Sequence, residues 1–328
     1  MSNKPLLQVK GLHTTFTVLK QPLPAVRGVD LRVDEGEILG IVGESGSGKS
    51  VTMKSIIRML PRGAIVTADS VSFLGEELLS KTESEMRALR GDDITMIFQD
   101  PMTSLNPLKT VGFHIAEVLQ RHRGLTGQAA RAEALALLDK VGVPSPEERL
   151  DQYPHEFSGG MRQRVLIAMA LACKPKLLIA DEPTTALDVT IQAQILDLIG
   201  ELQKSENMSV VLITHDLGVV ASLCHRVCVM YGGMIMEEGS LDDIFYRTAH
   251  PYTEALLGSI PARALENGTR LIPIKGYAPS LLNLPPGCPF APRCPKKTPI
   301  CDDGIPDMVP IAPGHCVRCV LYREVNHG

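Results

Sequence analysis

The sequence contains no tryptophan, and aromatic residues make up only 4% of its 328 positions. It also lacks an apolar run near the roughly 18 residues that a membrane-spanning helix needs, and one of the longer runs, 165–173, has half that length. The amino terminus has neither an apolar core segment nor a small-residue cleavage site, so no secretory signal is predicted. We therefore expect a chain that does not cross a membrane and resides in the cytoplasm, where thiols stay reduced.

Neither sign of charge is in excess. The chain has 33 lysines and arginines against 37 aspartates and glutamates, which gives a net charge of −4 and a pI of about 6.2. This balance does not favour a nucleic-acid-binding surface. Hydrophobic residues make up 44% of the chain, and the mean hydropathy is +0.08, which is enough for a substantial buried core. The length predicts one large domain and a smaller one.

Short β-rich runs alternate with longer helical patterns from about residue 6 to 245, which predicts an α/β domain with a central sheet. Strands that are apolar on both faces are predicted at 37–43, 177–181 and 210–214. Apolar residues at helical spacing over 191–202 predict a helix that packs against this sheet. Residues 110–141 predict helices without strands between them, and we interpret them as part of a helical subdomain inserted at about residues 100–165.

The composition changes after about residue 248. Thirteen of the 24 prolines lie from Pro251 onward, and proline opposes long helices and sheet ladders. Five of the eight cysteines lie in the last 41 positions. A segment with little apolar periodicity needs another source of order, and thiol-bound metal is the obvious candidate. The predicted domains are therefore 1–248 and a Pro/Cys-rich, metal-ordered carboxy-terminal extension, 249–328.

Residues 43–50 read GESGSGKS and match the phosphate-binding pattern G-x-x-x-x-G-K-[ST], between a predicted strand and a predicted helix. Backbone N–H groups of such a loop, at a helix amino terminus, bind phosphate. Lys49 is predicted to reach the β- and γ-phosphates of ATP, and Ser50 to bind Mg²⁺. The glycine spacing does not match the dinucleotide pattern G-x-G-x-x-G. The predicted ATP-binding loop comprises Gly43, Glu44, Ser45, Gly46, Ser47, Gly48, Lys49, Ser50 and Val51.

Two carboxylates, Asp181 and Glu182, follow the apolar strand 177–181 in a Walker-B arrangement. Asp181 is predicted to hold the magnesium ion, and Glu182 to orient and deprotonate the attacking water. By itself an acidic pair after a strand is as consistent with a sheet edge or a helix cap. The phosphate-binding loop earlier in the chain is what favours the catalytic interpretation.

Residues 157–164 read FSGGMRQR and closely resemble the LSGGQ signature of ABC ATPases. The resemblance covers most of residues 6–245 and includes further motifs in the order of that family, namely Gln99 of the Q-loop, Asp188 of the D-loop and His215 of the switch. It implies an ABC-type P-loop nucleotide-binding domain that works as a head-to-tail dimer. In that dimer the signature of one subunit clamps ATP on the P-loop of the other, and this sequence would contribute Ser158, Gly159, Gly160 and Asp188.

The resemblance also implies individual roles. His215 would contact the γ-phosphate, Gln99 would sense it and help to bind Mg²⁺, and Phe16 would stack on adenine. Phe157 and Met161 depart from the usual leucine and glutamine of the signature, but the serine and glycines are intact, so we expect a competent half-site. The predicted catalytic residues are Lys49, Gln99, Glu182 and His215. The predicted magnesium ligands are Ser50, Gln99 and Asp181.

Four segments resemble the ATP-binding subunits of oligopeptide and dipeptide importers. They are residues 97–107, 181–195, 250–257 and 287–295. The resemblance implies a homologous second ATPase, two membrane permeases and a substrate-binding protein, with this chain peripheral at the cytoplasmic face of the cell membrane. Related importers carry nickel, glutathione or other solutes, which remain alternatives to peptides. A soluble ABC protein acting on ribosomes or DNA and an export-type ATPase are less favoured alternatives.

The clustered cysteines have the spacing C-x5-C-x6-C-x14-C, followed by Cys319. Judged by their chemistry alone, the thiolates suit an iron–sulfur cluster or zinc, and the pair Cys316 and Cys319 has a common zinc spacing. Free thiols are a third possibility. Resemblance to members of the importer family that hold a [4Fe–4S] cluster implies Cys288, Cys294, Cys301 and Cys316 as ligands, with Cys319 outside the ligand set.

Overall fold

The computed structural model describes residues 5–100, 104–185, 187–260 and 274–322. These residues form two compact units. The P-loop unit contains residues 5–33 and 38–79 and the described residues from 214 onward, and the signature unit contains residues 34–37 and the described part of 80–213. Residues 101–103 of the importer-like segment 97–107, and residue 186 of the segment 181–195, lie outside the described residues.

The elements of the first half are, in chain order, β1 (Pro5–Val18), β2 (Gln21–Asp34), β3 (Ile38–Val42), α1 (Lys49–Ile56), β4 (Ile65–Thr67), β5 (Ser70–Phe73), β6 (Glu76–Glu77), α2 (Glu83–Leu89), β7 (Ile94–Ile97), α3 (Val111–Arg123), α4 (Gly127–Lys140), α5 (Pro146–Arg149) and a 3-10 turn at Pro154–Glu156. The second half comprises α6 (Gly159–Leu171), β8 (Leu177–Asp181), α7 (Val189–Glu206), β9 (Ser209–Thr214), α8 (Leu217–Leu223), β10 (Arg226–Tyr231), β11 (Met234–Ser240), α9 (Leu241–Tyr246), α10 (Pro251–Gly258), 3-10 turns at Ala291–Arg293 and Pro299–Cys301, β12 (Val309–Ala312) and β13 (His315–Val317).

In the signature unit, β7, β8 and β9 pair in parallel, with Leu177 of β8 opposite Ile94 on one side and Ser209 on the other. Every residue of β8 and β9 is buried, as the continuous apolar runs predict for strands covered on both faces. The predicted helices over 110–141 are confirmed as α3 and α4. In the described residues between β7 and β8 the helices α3 to α6 follow one another without a strand. The α/β architecture expected from the sequence is confirmed.

The P-loop unit contains two runs of paired strands. One has the order β2-β1-β5-β6, with β4 also paired to β1, and the other has the order β12-β13-β11-β10-β3. β3 and β10 are parallel, and the remaining pairs of the second run are antiparallel. No helix in the described part of either unit has the length and apolar character needed to cross a bilayer.

The carboxy-terminal extension contributes a hairpin to this second run of strands. β13 pairs with β11, with Glu237 opposite Val317, and β12 pairs with the other edge of β13. Our expectation that proline excludes sheet ladders from the extension is wrong for this hairpin, because Pro310 lies in the outermost strand. The prediction that metal orders the extension finds no support in these contacts, which are made by the protein itself.

A buried carboxylate joins the extension to β11. Glu237 is fully buried, and its carboxylate accepts hydrogen bonds from the backbone N–H groups of Ala249 (2.7 Å) and His250 (3.0 Å). It also lies 2.9 Å from Nε2 of His315, on β13. On the other side of the ring, Nδ1 of His315 is 3.7 Å from Asp243. These contacts satisfy a charge that would otherwise be costly to bury.

We expect Glu237→Gln to destabilise the protein by about 2 kcal/mol, because the new amide N–H₂ group cannot accept the backbone N–H donors that the carboxylate accepts. Urea denaturation followed by circular dichroism measures the change. Glu254→Gln is the control, since Glu254 pairs with Lys296 at an exposed site, and exposed pairs contribute less than about 1 kcal/mol. Equal midpoints for the two variants would contradict a structural role for the buried carboxylate.

Candidate nucleotide site and cysteine cavity

The phosphate-binding loop lies where the sequence places it, between the buried strand β3 and helix α1. Gly43 and Gly48 have positive φ angles of 151° and 101°. A Cβ atom on Gly43 would lie 2.1 Å from the carbonyl oxygen of Met230, and one on Gly48 would lie 2.6 Å from that of Ala25. Only glycine fits both positions, because backbone from neighbouring segments fills the space that a side chain needs.

The interior of the loop suits an anionic ligand. Lys49 is 5% exposed, and its ammonium group donates to the carbonyl oxygens of Gly43 (2.7 Å) and Glu44 (3.0 Å). The Ser47 hydroxyl is buried and has no hydrogen-bond partner within the described ranges. Ser50, the predicted magnesium ligand, occupies the second position of α1. A buried ammonium group and an unsatisfied hydroxyl at a helix amino terminus fit the phosphates of ATP.

The two carboxylates that are predicted to act in ATP hydrolysis, Asp181 and Glu182, lie in the signature unit. Asp181 ends β8 and is 1% exposed, and Glu182 follows it with a φ of +49°, in the left-handed region that non-glycine residues rarely occupy. The Glu182 carboxylate accepts hydrogen bonds from Gln99 Nε2 at 2.8 Å and from the Thr185 hydroxyl at 2.9 Å. The structure therefore brings together Gln99 and Glu182, which are 83 positions apart in the chain. Such backbone strain is found at functional sites.

The signature segment begins helix α6. Ser158 is the N-cap, and its hydroxyl accepts a hydrogen bond from the Met161 N–H at 3.3 Å. A Cβ atom on Gly160 would lie 2.5 Å from the Ile191 side chain, so glycine allows α7 to approach closely. Phe157, which stands where the signature usually has leucine, is buried at 3% exposure.

The remaining predicted residues lie at element ends or on strand surfaces. Asp188 caps α7 and accepts a hydrogen bond from the Ile191 N–H at 2.9 Å. His215 directly follows β9 and is exposed. Phe16 lies on β1 and is half-buried. Their contacts with nucleotide stay predictions. Of the predicted catalytic residues, Lys49 and His215 belong to the P-loop unit, and Gln99 and Glu182 to the signature unit.

Three residues of the site were not predicted. Thr185 contacts Glu182, as described above, and Tyr252 and Arg293 contact Glu44 of the phosphate-binding loop. The Tyr252 hydroxyl accepts a hydrogen bond from the Glu44 N–H at 2.9 Å. Arg293 donates to both carboxylate oxygens of Glu44, at 2.6 and 3.0 Å. No local pattern marks the contacts of Tyr252 and Arg293 with Glu44, which is more than 200 positions away in sequence.

Four of the five clustered cysteines line one small cavity in the extension, namely Cys288, Cys294, Cys301 and Cys319. Cys316 does not line it. It lies on β13 opposite Glu238 of β11. Burial raises the pKa of the Cys288 thiol to about 11, so a metal bound there must displace its proton. No group of three or more His, Cys, Asp or Glu side chains is arranged to hold a single metal ion in the part of the chain that the structure describes.

Two family profiles match the chain, and the relatives found are ATP-binding proteins of peptide transport. The family profile for "ABC transporter" matches residues 26–185, and that for "Oligopeptide/dipeptide transporter, C-terminal region" matches residues 236–301. The dipeptide transport ATP-binding protein DppD of Bacillus subtilis is 54% identical over 97% of this chain and 95% of its own length. The oligopeptide transport ATP-binding protein AppD of the same species is 50% identical over 97% of each chain.

Solved structures extend the likeness to three dimensions. The dimeric post-hydrolysis state of the ATP-binding cassette MJ0796, bound to ADP and Pi, superposes with a TM-score of 0.64 at 30% identity. The superposition covers 72% of this chain and 98% of that cassette. CbiO1 of Clostridium perfringens, part of an ABC transporter complex, superposes with a TM-score of 0.63 at 26% identity, covering 74% of this chain and 92% of that chain. The chain belongs to the ABC transporter ATPase family, in the group that carries the oligopeptide/dipeptide transporter carboxy-terminal region.

Proposed function

We propose that this chain is the ATP-hydrolysing subunit of an ABC importer and couples ATP binding and hydrolysis to the uptake of dipeptides or oligopeptides. The single observation that carries the proposal is similarity over nearly the whole chain, extension included, to dipeptide and oligopeptide transport ATP-binding proteins. The phosphate-binding loop and the carboxylate pair supply the chemistry of ATP hydrolysis.

The residues divide the reaction between binding and activation of water. The P-loop with Lys49 would bind the phosphates, and Asp181 would hold Mg²⁺, which would supply positive charge next to them. Glu182, held by Gln99 and Thr185, orients the attacking water and removes its proton. The exposed amino terminus of α6, with Ser158 as its cap, is the half-site offered to ATP on a second ATPase subunit.

The proposed assembly contains this chain, a homologous second ATPase subunit, two membrane permeases and a substrate-binding protein. Because ABC importers hydrolyse ATP outside the bilayer, the chain would sit at the cytoplasmic face of the membrane as a peripheral subunit. Nickel or glutathione as cargo would leave every ATP-site assignment unchanged, since cargo binds other subunits of the assembly.

Purification of the full chain with an affinity tag from a membrane extract tests this proposal. We expect two permeases and a second ATPase to copurify. In proteoliposomes supplied with the substrate-binding protein, dipeptides should stimulate ATP hydrolysis more than nickel ions or glutathione. Stimulation by nickel or glutathione alone would replace the peptide assignment. Copurification of ribosomes or nucleic acid in place of permeases would overturn the transport function.

The extension is proposed to bind a [4Fe–4S] cluster through four of its thiolates. The supporting observation is that Cys288, Cys294, Cys301 and Cys319 line one cavity. A four-iron cluster is wider than a single ion, so its thiolates lie further apart than those around zinc. This ligand set includes Cys319 in place of Cys316, because β13 holds Cys316 in register with β11. The cluster would supply order to the loop that joins these cysteines.

The proposed ligand set, with Cys319 in place of Cys316, can be tested directly. Cys319→Ala should lose the metal, whereas Cys316→Ala, three positions away, should keep iron and acid-labile sulfide at about four per chain. Iron, sulfide and zinc are measured on protein purified without oxygen. Metal retained in Cys319→Ala and lost in Cys316→Ala would restore the ligand set inferred from the sequence. Stoichiometric zinc would replace the cluster.

A further inference from the structure

Glu44 occupies the first x position of the pattern G-x-x-x-x-G-K-[ST], and two residues of the extension form hydrogen bonds with it. Its backbone N–H donates to the Tyr252 hydroxyl at 2.9 Å, and its carboxylate accepts two hydrogen bonds from Arg293, at 2.6 and 3.0 Å. Its carbonyl oxygen accepts a hydrogen bond from Lys49 at 3.0 Å. A residue that orients the catalytic lysine is therefore itself held by residues more than 200 positions away.

The Arg293 side chain is fixed independently of Glu44. It is 6% exposed, and its Nε donates to the Lys275 carbonyl oxygen at 2.9 Å. One of its terminal nitrogens lies 3.2 Å from the Tyr231 hydroxyl, which it can donate to. Below it, the rings of Tyr231, Tyr252 and Phe290 pack with centroids 4.5 to 5.4 Å apart. A guanidinium group fixed in this way makes a strong bidentate pair, because little side-chain entropy is lost.

A cavity of about 310 Å³ lies next to this ion pair, lined by Glu44 to Ser47 of the loop and by Ala278, Pro279 and Leu281 of the extension. The extension therefore shapes one wall of the space beside the phosphate-binding loop. Arg293 also ends the 3-10 turn that directly precedes Cys294. It therefore links the cysteine-bearing loop to the phosphate-binding loop through its contact with Glu44.

We propose that Arg293 is a positioning residue for ATP binding, which holds the phosphate-binding loop through Glu44 in the conformation that accepts nucleotide. Loss of the ion pair frees the Glu44 side chain and loosens the carbonyl oxygen that orients Lys49. The loss weakens ATP binding and not the chemical step, because Arg293 and Glu44 belong to the P-loop unit, whereas the carboxylates assigned to that step, Asp181 and Glu182, belong to the signature unit. The inference rests on the proposed ATPase reaction and is independent of which metal the cysteines bind.

The test is a double-mutant cycle with Arg293→Met, Glu44→Gln and the double variant of the full chain. Mg·ATP affinity is measured with a fluorescent ATP analogue, and steady-state ATP hydrolysis is measured in the assembled transporter. We expect each single variant to weaken affinity about tenfold and the double variant to be no weaker than either. KM for ATP should rise while kcat at saturating ATP stays within twofold. Arg293→Lys should recover only part of the affinity that Arg293→Met loses, since lysine keeps the positive charge but cannot form the bidentate pair.

Arg131→Met is the matched control, because Arg131 forms a bidentate pair with Asp151 at an exposed site of the signature unit. It should leave the affinity for ATP within twofold. Metal content is checked in each variant, and if Arg293→Met loses metal, Glu44→Gln decides the outcome, since it lies far from the cysteines in sequence. Unchanged affinity in Glu44→Gln, or additive effects in the double variant, would overturn the proposal. Inactivity of the parent chain would instead contradict the proposed function.

Discussion

Glu182→Gln is expected to lower the rate of ATP hydrolysis about 1,000-fold while ATP binding changes less than twofold. The amide has the shape of the carboxylate but cannot take a proton from water. Its hydrogen bonds from Gln99 and Thr185, at 2.8 and 2.9 Å, can be kept by the amide oxygen, so the geometry should persist. Single-turnover hydrolysis and equilibrium ATP binding of the assembled transporter separate the two effects.

The same variant should accumulate ATP-bound dimer, because the step that releases the two subunits is blocked. Size-exclusion chromatography with ATP and Mg²⁺ detects this species. Glu201→Gln, at an exposed position of α7, is the control and should hydrolyse ATP at the parental rate. Hydrolysis by Glu182→Gln at the parental rate would show that another group removes the proton.

Lys49→Ala is expected to weaken ATP binding itself, by about 100-fold, because charge-assisted hydrogen bonds to the phosphates are lost. The lysine is 5% exposed and donates to the carbonyl oxygens of Gly43 and Glu44, so its removal also frees two acceptors in the loop. Isothermal titration with Mg·ATP measures the affinity.

The matched control is Lys54→Ala, five positions further along α1, where the side chain is half-buried. Its affinity for ATP should stay within twofold of the parent. Affinity retained in Lys49→Ala would mean that the loop binds phosphate through its backbone N–H groups alone. Lys49→Ala and Glu182→Gln thus separate a residue that binds nucleotide from a residue that activates water, since of these two only Glu182→Gln should leave ATP binding intact.

The parts of the fold that could be predicted are those whose sequence pattern is local. The run 177–181 is apolar at each position before its terminal aspartate, and β8 has the predicted bounds because both faces are covered. The phosphate-binding loop was predictable for the same reason, since strand, glycines and helix follow one another without a break. Gln99 and Glu182 were expected in one site by resemblance, and their hydrogen bond is a finding of the structure.

The parts that could not be predicted depend on pairing between distant segments. The position of Cys316 on β13, outside the cavity that the other four clustered cysteines line, depends on the register of β13 against β11, which no spacing of cysteines specifies. The contact between Arg293 and Glu44 joins residues 249 positions apart. High proline content suggested an extension without strands, but it could not indicate that Pro310 would occupy an outermost strand, where its missing N–H is tolerated.

The order of β11 and β13 along the chain has a consequence for synthesis of the protein. His315 leaves the ribosome 78 residues after the Glu237 carboxylate that it contacts. At about 5–20 residues per second, β11 leaves the ribosome about 4–16 s before the strand that pairs with its edge. During this interval a newly made chain carries an unpaired strand edge, and the Glu237 carboxylate lacks its contact with His315. We therefore expect the nascent chain to be prone to edge-to-edge association until the hairpin of the extension has docked.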